Sequence, residues 1–263
     1  MNKGVVIAVG IATAIALGIL LLLSVKHPDV RKSIGASIPA LGVAQLPDET
    51  RIQEHALEHL DPQSAKTLET LEAELKNTQD PSRQVALLRD LSAFWYQRNE
   101  PALSAIAAER LAVIENADSS WSVAGALYYS ANTSAKDSTM RRFAAQKAIR
   151  AFETASRLAP QTPEHQVNLA LVFAENPEPD NPMKAVMLLR ELEQKYPENS
   201  SVYNALGRLA IKTAQWDRAI QRLEKAYSLD PNNPNTPCLL AQAYSKTGRE
   251  AEAKTFADLC KRR

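Results

Sequence analysis

Apolar residues recur every three or four positions over most of the chain after Asp48, which is the period of one face of an α-helix. Prolines and aspartates interrupt the pattern, because they favour the first turn of a helix over its interior. Four helices are predicted before residue 117, with apolar stripes at Ile52–Leu60, Leu68–Leu75, Val85–Trp95 and Ile106–Ile114. The fold class is therefore predicted to be all-α.

A more specific pattern lies between Ser200 and Asn233. Small and large apolar residues occupy fixed positions of a period of about 34 residues: Tyr203, Leu206, Gly207, Ala210, Ala219, Leu223, Ala226 and Pro231. Small side chains let two helices approach, larger ones fill the space between them, and the proline ends the second helix. The same register recurs downstream from Leu240 and, with insertions, upstream from Leu169 and Trp121.

This spacing resembles the tetratricopeptide repeat (TPR), a pair of antiparallel helices. The resemblance implies a TPR α-solenoid of helical hairpins, with four TPR units over residues 118–263 and hairpins that include a degenerate TPR-like unit over residues 48–117. Arrays of this kind bury their core between neighbouring units and present surfaces to protein or peptide partners. Neither enzyme activity nor a cofactor is expected.

Residues 1–25 are predicted to be a transmembrane anchor. Gly4 to Val25 contains no charged residue, and a helix of that length crosses roughly 30 Å of hydrocarbon. A cleaved signal peptide fits less well, because no small-residue cleavage site follows closely. Gly10, Ala14 and Gly18 would share one face, which allows self-association of such helices; small residues are also simply common in membrane helices.

Residues 26–47 contain prolines and glycines without a helical period, and are predicted to be a linker. Lys26, Arg31 and Lys32 favour a cytoplasmic C-terminal domain by charge count. A short N-terminal tail with Lys3 before a single span is instead typical of anchored periplasmic proteins. We expect a single-pass protein of the bacterial inner membrane with a periplasmic C-terminal domain, the cytoplasmic side being the alternative.

Charge and cysteine content exclude two further classes. The 31 basic and 30 acidic residues give a net charge of +1, so no nucleic-acid partner is expected. Two cysteines are too few for a disulfide scaffold. The TPR resemblance places Cys238 towards the groove and Cys260 towards the helix-packing seam, so two separate thiols are favoured over a bond, although oxidation stays open.

One short motif suggests metal chemistry. His55, Glu58 and His59 match H-x-x-E-H, in which two histidines four apart on a helix can bind one zinc ion. Catalysis would also need a third ligand and a placed base. Two solvated histidines are the simpler interpretation, and a zinc-binding protein or peptidase is kept as an alternative function.

In TPR proteins, peptides usually lie in a groove lined by the first helix of each unit. Carried onto this sequence, the resemblance gives the candidate partner-binding residues Asn168, Asn204, Arg208, Lys212, Gln242 and Lys246. Arg208 and Lys212 are four apart and could bind a carboxylate together, or they could be solvated charges. Insertions at Ser130–Met140 and Glu175–Pro182 are predicted to form a ridge on one edge of the array.

A single span, a linker and TPR units resemble bacterial inner-membrane-anchored TPR proteins, of Bacteroidetes type in the stretch from Glu175 to Glu191. The leading hypothesis is a membrane-tethered scaffold or adaptor that binds protein partners through its groove, near an envelope or translocation and assembly machine. A mitochondrial outer-membrane receptor is a further alternative.

Overall fold

The computed structural model describes residues 49–261, and every regular element in that range is a helix. The twelve helices are α1 (Glu49–Leu57), α2 (Pro62–Asn77), α3 (Pro81–Gln97), α4 (Pro101–Glu115), α5 (Asp118–Ser134), α6 (Ser138–Leu158), α7 (Pro163–Glu175), α8 (Lys184–Lys195), α9 (Ser200–Lys212), α10 (Trp216–Leu229), α11 (Asn235–Lys246) and α12 (Glu250–Lys261). None of these helices is both long and apolar enough to cross a membrane. The predicted anchor at 1–25, its stripe of Gly10, Ala14 and Gly18, and the predicted linker at 26–47 lie outside the described residues.

Local chemistry explains where the helices begin. Asp61 caps α2 by accepting hydrogen bonds from the backbone amides of Gln63 and Ser64, both at 3.0 Å. Asp137 caps α6 in the same way, through the amide of Met140 at 2.7 Å. Proline is the first residue of α2, α3, α4 and α7, where its missing N–H costs no helical hydrogen bond. The prediction that prolines interrupt the helical pattern is confirmed at Pro62, Pro81 and Pro101.

The helices pack as consecutive antiparallel hairpins: α3 with α4, α5 with α6, α7 with α8, α9 with α10 and α11 with α12. Gly207 shows why small residues recur at fixed positions. A Cβ placed on Gly207 would lie 2.5 Å from Cγ of Leu223, which is fully buried, so α9 and α10 can be this close only without a side chain there. Ala219 is likewise fully buried in the same hairpin.

The core is a series of clusters that share helices. The first joins buried residues of α1 to α7, the next joins α7, α8 and α9, and the third joins α9 to α12. A small cluster of Ala108, Ala124 and Ala151 lies beside the first. Each hairpin therefore buries its apolar surface against its neighbours, as repeat arrays do.

Helix α1 packs on α4 and does not form a close hairpin with α2, unlike the pairing expected from the sequence. Its stripe buries only Ile52 and Ala56. Lys147 of α6 holds the start of α1, because its ammonium group lies 3.1 Å from a carboxylate oxygen of Glu49 and 2.9 Å from one of Glu109. A contact between residues 98 positions apart leaves no local trace in the sequence.

The two insertions are accommodated differently. The first is taken up by helix, since α5 extends to Ser134 and α6 begins at Ser138. The second forms a loop, residues 176–183, in which the side-chain amides of Asn176 and Asn132 exchange two hydrogen bonds of 3.0 Å. The expected ridge of two enlarged turns is therefore reduced to one loop.

Cys238 and Cys260 form a disulfide, with their Cα atoms 4.9 Å apart. The expectation of two separate thiols is therefore wrong. It rested on the faces that the two residues occupy around their helices. In an antiparallel hairpin the start of the first helix lies beside the end of the second, and Cys238 and Cys260 occupy those two places in α11 and α12.

Candidate functional site

A groove lies between α3 and α5, with α4 as its floor, and encloses about 710 Å³. Helix α4 packs against both neighbours, but α3 and α5 do not make the close contact that joins α5 to α7, α7 to α9 and α9 to α11. This space is called the N-terminal groove below. Its lining residues are Arg89, Ser92, Ala93, Tyr96, Ser104, Ala108, Leu111, Glu115, Ser119, Ser120, Val123, Ala126, Leu127 and Ser130.

The lining of the N-terminal groove is mostly small and apolar. Tyr96 and Val123 are large apolar residues that stay 63% and 56% exposed. Its two charged residues, Arg89 and Glu115, form an ion pair at 3.3 Å and so neutralise each other. The groove can therefore accept uncharged apolar groups without leaving a buried charge unpaired.

Hydrogen bonds between the floor of the groove and its two walls fix the shape of the groove. The hydroxyl of Ser92 donates to the carbonyl oxygen of Ser104 at 3.0 Å. In return, the hydroxyl of Ser104 donates to the carbonyl oxygen of Ser92 at 2.9 Å. Ser120 donates to the carboxylate of Glu115. These polar groups are satisfied within the protein, so the surface offered to a ligand is apolar.

The six residues predicted from the repeat positions do not form one site. Arg208 and Lys212 line a smaller hollow of about 300 Å³ with Glu175, on α7 and α9. Asn204 is buried, and its side-chain amide donates to the hydroxyl of Thr236 at 2.6 Å. Asn168 is half-buried on α7, while Gln242 and Lys246 are exposed on α11.

Two of the three predicted basic residues, Arg208 and Lys212, are engaged inside the protein. The Arg208 guanidinium donates to the hydroxyl of Tyr129 at 3.1 Å, and Lys212 lies 2.7 Å from a carboxylate oxygen of Glu175. Burial raises the pKa of Tyr129, although the positive charge of Arg208 opposes the shift. Tyr129 therefore stays a neutral hydroxyl, and a carboxylate ligand would compete with Glu175 for Lys212.

Sequence reasoning did not identify Tyr96 and Val123. The unit that contains Tyr96 lacks the signature residues, so its groove positions could not be numbered. A signal was present: Tyr96 follows Trp95, the last residue of the apolar stripe of α3, and an aromatic residue beside such a stripe must face solvent or a partner.

The histidine motif divides between a helix and a turn. Helix α1 ends at Leu57, so His59 lies beyond it, and the rings of His55 and His59 are 5.3 Å apart in an edge-on contact. Across residues 49–261, no group of three or more histidine, cysteine or acidic side chains is placed to hold a metal ion. The described residues supply no third ligand for the zinc alternative.

Residues 214–259 match the family model described as tetratricopeptide repeat. No curated protein matches the chain in sequence. Among solved structures, the chain is similar to TTC0263, a TPR protein of Thermus thermophilus, with 21% identity, a TM-score of 0.49, and 73% of this chain and 94% of that one covered. It is also similar to PilF of Pseudomonas aeruginosa, with 18% identity, a TM-score of 0.45 and coverages of 69% and 77%. MamA of Desulfovibrio magneticus is similar as well, with 18% identity, a TM-score of 0.40, and 68% of this chain and 92% of that one covered. The tetratricopeptide repeat match therefore covers the stretch of α10 to α12, and the helices before it also pack as consecutive hairpins.

Proposed function

We propose that this protein is a membrane-tethered scaffold that binds an extended, apolar polypeptide segment of a partner in its N-terminal groove. TPR units generally serve as surfaces for protein–protein interaction and not as catalysts. The observation that carries the proposal is the exposure of Tyr96 and Val123 in a groove whose only charges cancel. Exposed aromatic side chains in a preformed concavity are typical anchors of protein interfaces.

The start of α1 packs away from this groove. Ala108 faces the groove from α4, whereas Glu109, which binds Lys147 next to the start of α1, lies about 100° further around the helix. The start of α1, which is held at Glu49, therefore lies on a different face of α4 from the groove. With residues 4–25 in a membrane, the groove would be held near it, which raises its effective concentration for any partner in the same membrane.

The Cys238–Cys260 disulfide supports a periplasmic position for the C-terminal domain. Disulfides persist in oxidising compartments such as the bacterial periplasm and are rare in the cytosol. We therefore propose that the groove meets exported proteins, close to machinery for envelope assembly or translocation. Attachment to a mitochondrial outer membrane would instead expose the disulfide to a reducing cytosol.

Site-specific photo-crosslinking in living cells tests the groove. A photoreactive residue at Ala126, inside the groove, is expected to yield covalent adducts with a partner protein. The same residue at Val113, which is 63% exposed on α4 but outside the groove, is the matched control. Tyr96→Ala should reduce the adduct from position 126 several-fold, because it removes the aromatic anchor. Equal adducts from both positions would refute the groove as the binding site.

The basic residues predicted from the repeat positions are tested in the same assay. A photoreactive residue at Lys246 reports on binding to the C-terminal part of the array. The double variant Arg208→Ala with Lys212→Ala removes the two neighbouring cations of α9. We expect weakened capture if the partner extends along the array beyond the N-terminal groove. An unchanged yield at both ends would confine the partner to the space between α3 and α5.

Membrane topology is tested by a reporter fused after Arg263 that is active on only one side of the membrane. We expect an external signal. Thiol alkylation of unreduced cells adds a second readout, since both cysteines should resist a maleimide until a reductant is added. A cytoplasmic signal with freely reactive thiols would reject the periplasmic placement and support the charge count.

A further inference from the structure

A second surface lies outside the N-terminal groove, in a cleft between α8 and α10 whose floor is α9. The cleft encloses about 270 Å³ and is lined by Met183, Val186, Arg190, Leu206, Leu209, Ala210, Thr213, Gln215, Arg218 and Arg222. The loop of residues 176–183 borders it on one side. We call this space the edge cleft.

All the charged residues that line the edge cleft are arginines. Arg222 pairs with Glu193, and Arg218 donates to the side-chain oxygen of Gln215 at 2.6 Å. Within the described residues, no carboxylate forms an ion pair with Arg190 or Arg218. The N-terminal groove and the hollow beside Lys212 both contain an acidic residue among their lining, so the edge cleft is different in having an uncompensated positive charge.

Two methionines stand beside these arginines. Met183 and Met187 are 54% and 62% exposed. Met187 and Arg190 are three residues apart and share one face of α8, and Met183 caps the start of that helix. Exposed methionines are uncommon on a surface that has no partner, and their flexible thioether side chains adapt to varied apolar contacts. The surface thus combines apolar and cationic groups within two helical turns.

The loop that leads into α8 is held in place, so this surface is preformed. Lys184 binds the carboxylate of Glu178 at 2.7 Å, and its ammonium group lies 3.9 Å from the centre of the Phe173 ring. The backbone amide of Lys184 also donates to the carbonyl oxygen of Asn181 at 3.2 Å. A preformed surface loses little conformational entropy when it binds.

We infer that the edge cleft is an interaction surface for an acidic polypeptide segment in which carboxylates flank a large apolar side chain. The carboxylates would meet Arg190 and Arg218, and the apolar side chain would enter between Met183 and the apolar floor. The space is smaller than most small-molecule pockets, which argues against a cofactor. Its apolar floor and the near-neutral net charge of the chain argue against a nucleic acid.

The methionines provide the test, because the chain has only four. The full-length protein, with its methionine methyl groups labelled with ¹³C and kept in a non-ionic detergent, is titrated with a short synthetic amphipathic helix of leucine and glutamate. We expect the NMR signals of Met183 and Met187 to shift while that of Met140 does not. A peptide with glutamine in place of every glutamate should bind about tenfold more weakly.

Matched charge variants complete the experiment. Arg190→Gln with Arg218→Gln should weaken the glutamate peptide about tenfold, whereas Arg142→Gln with Lys254→Gln, exposed positions outside the cleft, removes the same charge and should have little effect. Equal binding of both peptides, equal effects of both double variants, or a shift of Met140 as large as those of Met183 and Met187 would overturn the inference. Stronger shifts with anionic lipid vesicles than with the peptide would overturn it in favour of a membrane surface. None of these variants lies in the N-terminal groove, so the two proposals fail independently.

Discussion

At the scale of single residues, two turns one repeat apart both contain a residue with positive φ. This residue is an alanine in one turn and a glycine in the other. Ala214 and Gly248 follow the first helices of successive hairpins, with φ values of 54° and 74°. The left-handed region costs a residue with a Cβ roughly 1 kcal/mol more than it costs glycine. A Cβ on Gly248 would meet no atom within 4 Å, so only the backbone conformation matters there.

We expect Ala214→Gly to raise the free energy of unfolding by about 0.5–1 kcal/mol and Gly248→Ala to lower it by about 1 kcal/mol. Urea denaturation followed by circular dichroism measures both changes. The two substitutions are each other's control, because they exchange the same side chain at equivalent positions. If both substitutions changed the free energy of unfolding in the same direction, side-chain contacts and not the backbone conformation would determine the stability of these turns.

Lys147 joins parts of the described chain that are 98 positions apart in sequence. Its ammonium group contacts Glu49 of α1 and Glu109 of α4 from α6, and its side chain is only 23% exposed. We expect Lys147→Gln to lower the free energy of unfolding by about 1–2 kcal/mol, between the values for exposed and buried ion pairs. Hydrogen exchange of α1 should accelerate more than that of α12, and equal acceleration in both helices would contradict the role of Lys147 in holding α1.

The same residue predicts a pH dependence. Burial alone would lower the pKa of Lys147, but the hydrogen bonds and charges of Glu109 and Glu49 outweigh burial and raise the pKa above its ordinary value of 10.5. A raised pKa means that the stabilisation is present below pH 10.5 and is lost as pH rises through the folded-state pKa. The stability difference between the wild type and Lys147→Gln should therefore stay constant at neutral pH and shrink in strong alkali. A difference that grows with pH would reverse the assignment.

At the scale of elements, the last hairpin depends on a covalent bond more than the others do. Ala253 is the only buried residue of helix α12, although the ring of Phe256 packs with its centre 5.4 Å from that of Tyr227 and 5.6 Å from that of Tyr244. The disulfide closes a segment with a sequence separation of 22, for which chain entropy gives a stabilisation of about 3 kcal/mol.

Reduction of the disulfide should therefore act locally. We expect faster hydrogen exchange in α11 and α12 after reduction, with little change in α3 to α6, since the bond lies within a single hairpin. The variant with Cys238→Ser and Cys260→Ser should reproduce this profile without a reductant. Loss of protection throughout residues 49–261 would show that the terminal hairpin is coupled to the whole array.

Helix boundaries and hairpin packing could be predicted because local chemistry determines them. Prolines and capping aspartates start helices, and the small residue at Gly207 permits the close approach of two helices. The disulfide was not predicted, because the repeat register gives the face of the helix on which each cysteine lies. It does not directly give the level along the hairpin at which the two cysteines meet. The pairing of Arg208 with Tyr129 joins α9 to α5 past the intervening hairpin, and no periodic pattern encodes it.

The position of the candidate site was less predictable than the fold for a related reason. Repeat positions identify which residues face the groove where the signature is present, as it is around Arg208. They give no information on whether a neighbouring acid already neutralises a cation, as Glu175 does for Lys212. They also give no register for the degenerate unit, and Tyr96 lies in that unit.

At the scale of the whole described part of the chain, stability is expected to vary along the array. The core clusters overlap only through shared helices, α7 between the first and second and α9 between the second and third. Stability in such arrays is approximately a sum of unit terms and nearest-neighbour terms, so a local loss need not unfold distant units.

A pair of core truncations tests how far such a loss travels. Leu240 is fully buried in the cluster of α9 to α12, and Leu91 is buried in the cluster of α1 to α7. Each change to alanine should cost about 2–5 kcal/mol locally. We expect Leu240→Ala to lower hydrogen-exchange protection in α10 to α12 while sparing α3 and α4, and Leu91→Ala to give the opposite profile. If both substitutions lowered protection equally along residues 49–261, the array would unfold as one cooperative unit. A partner in the N-terminal groove would then stabilise the distant edge cleft as well, whereas with local unfolding each surface responds only to its own ligand.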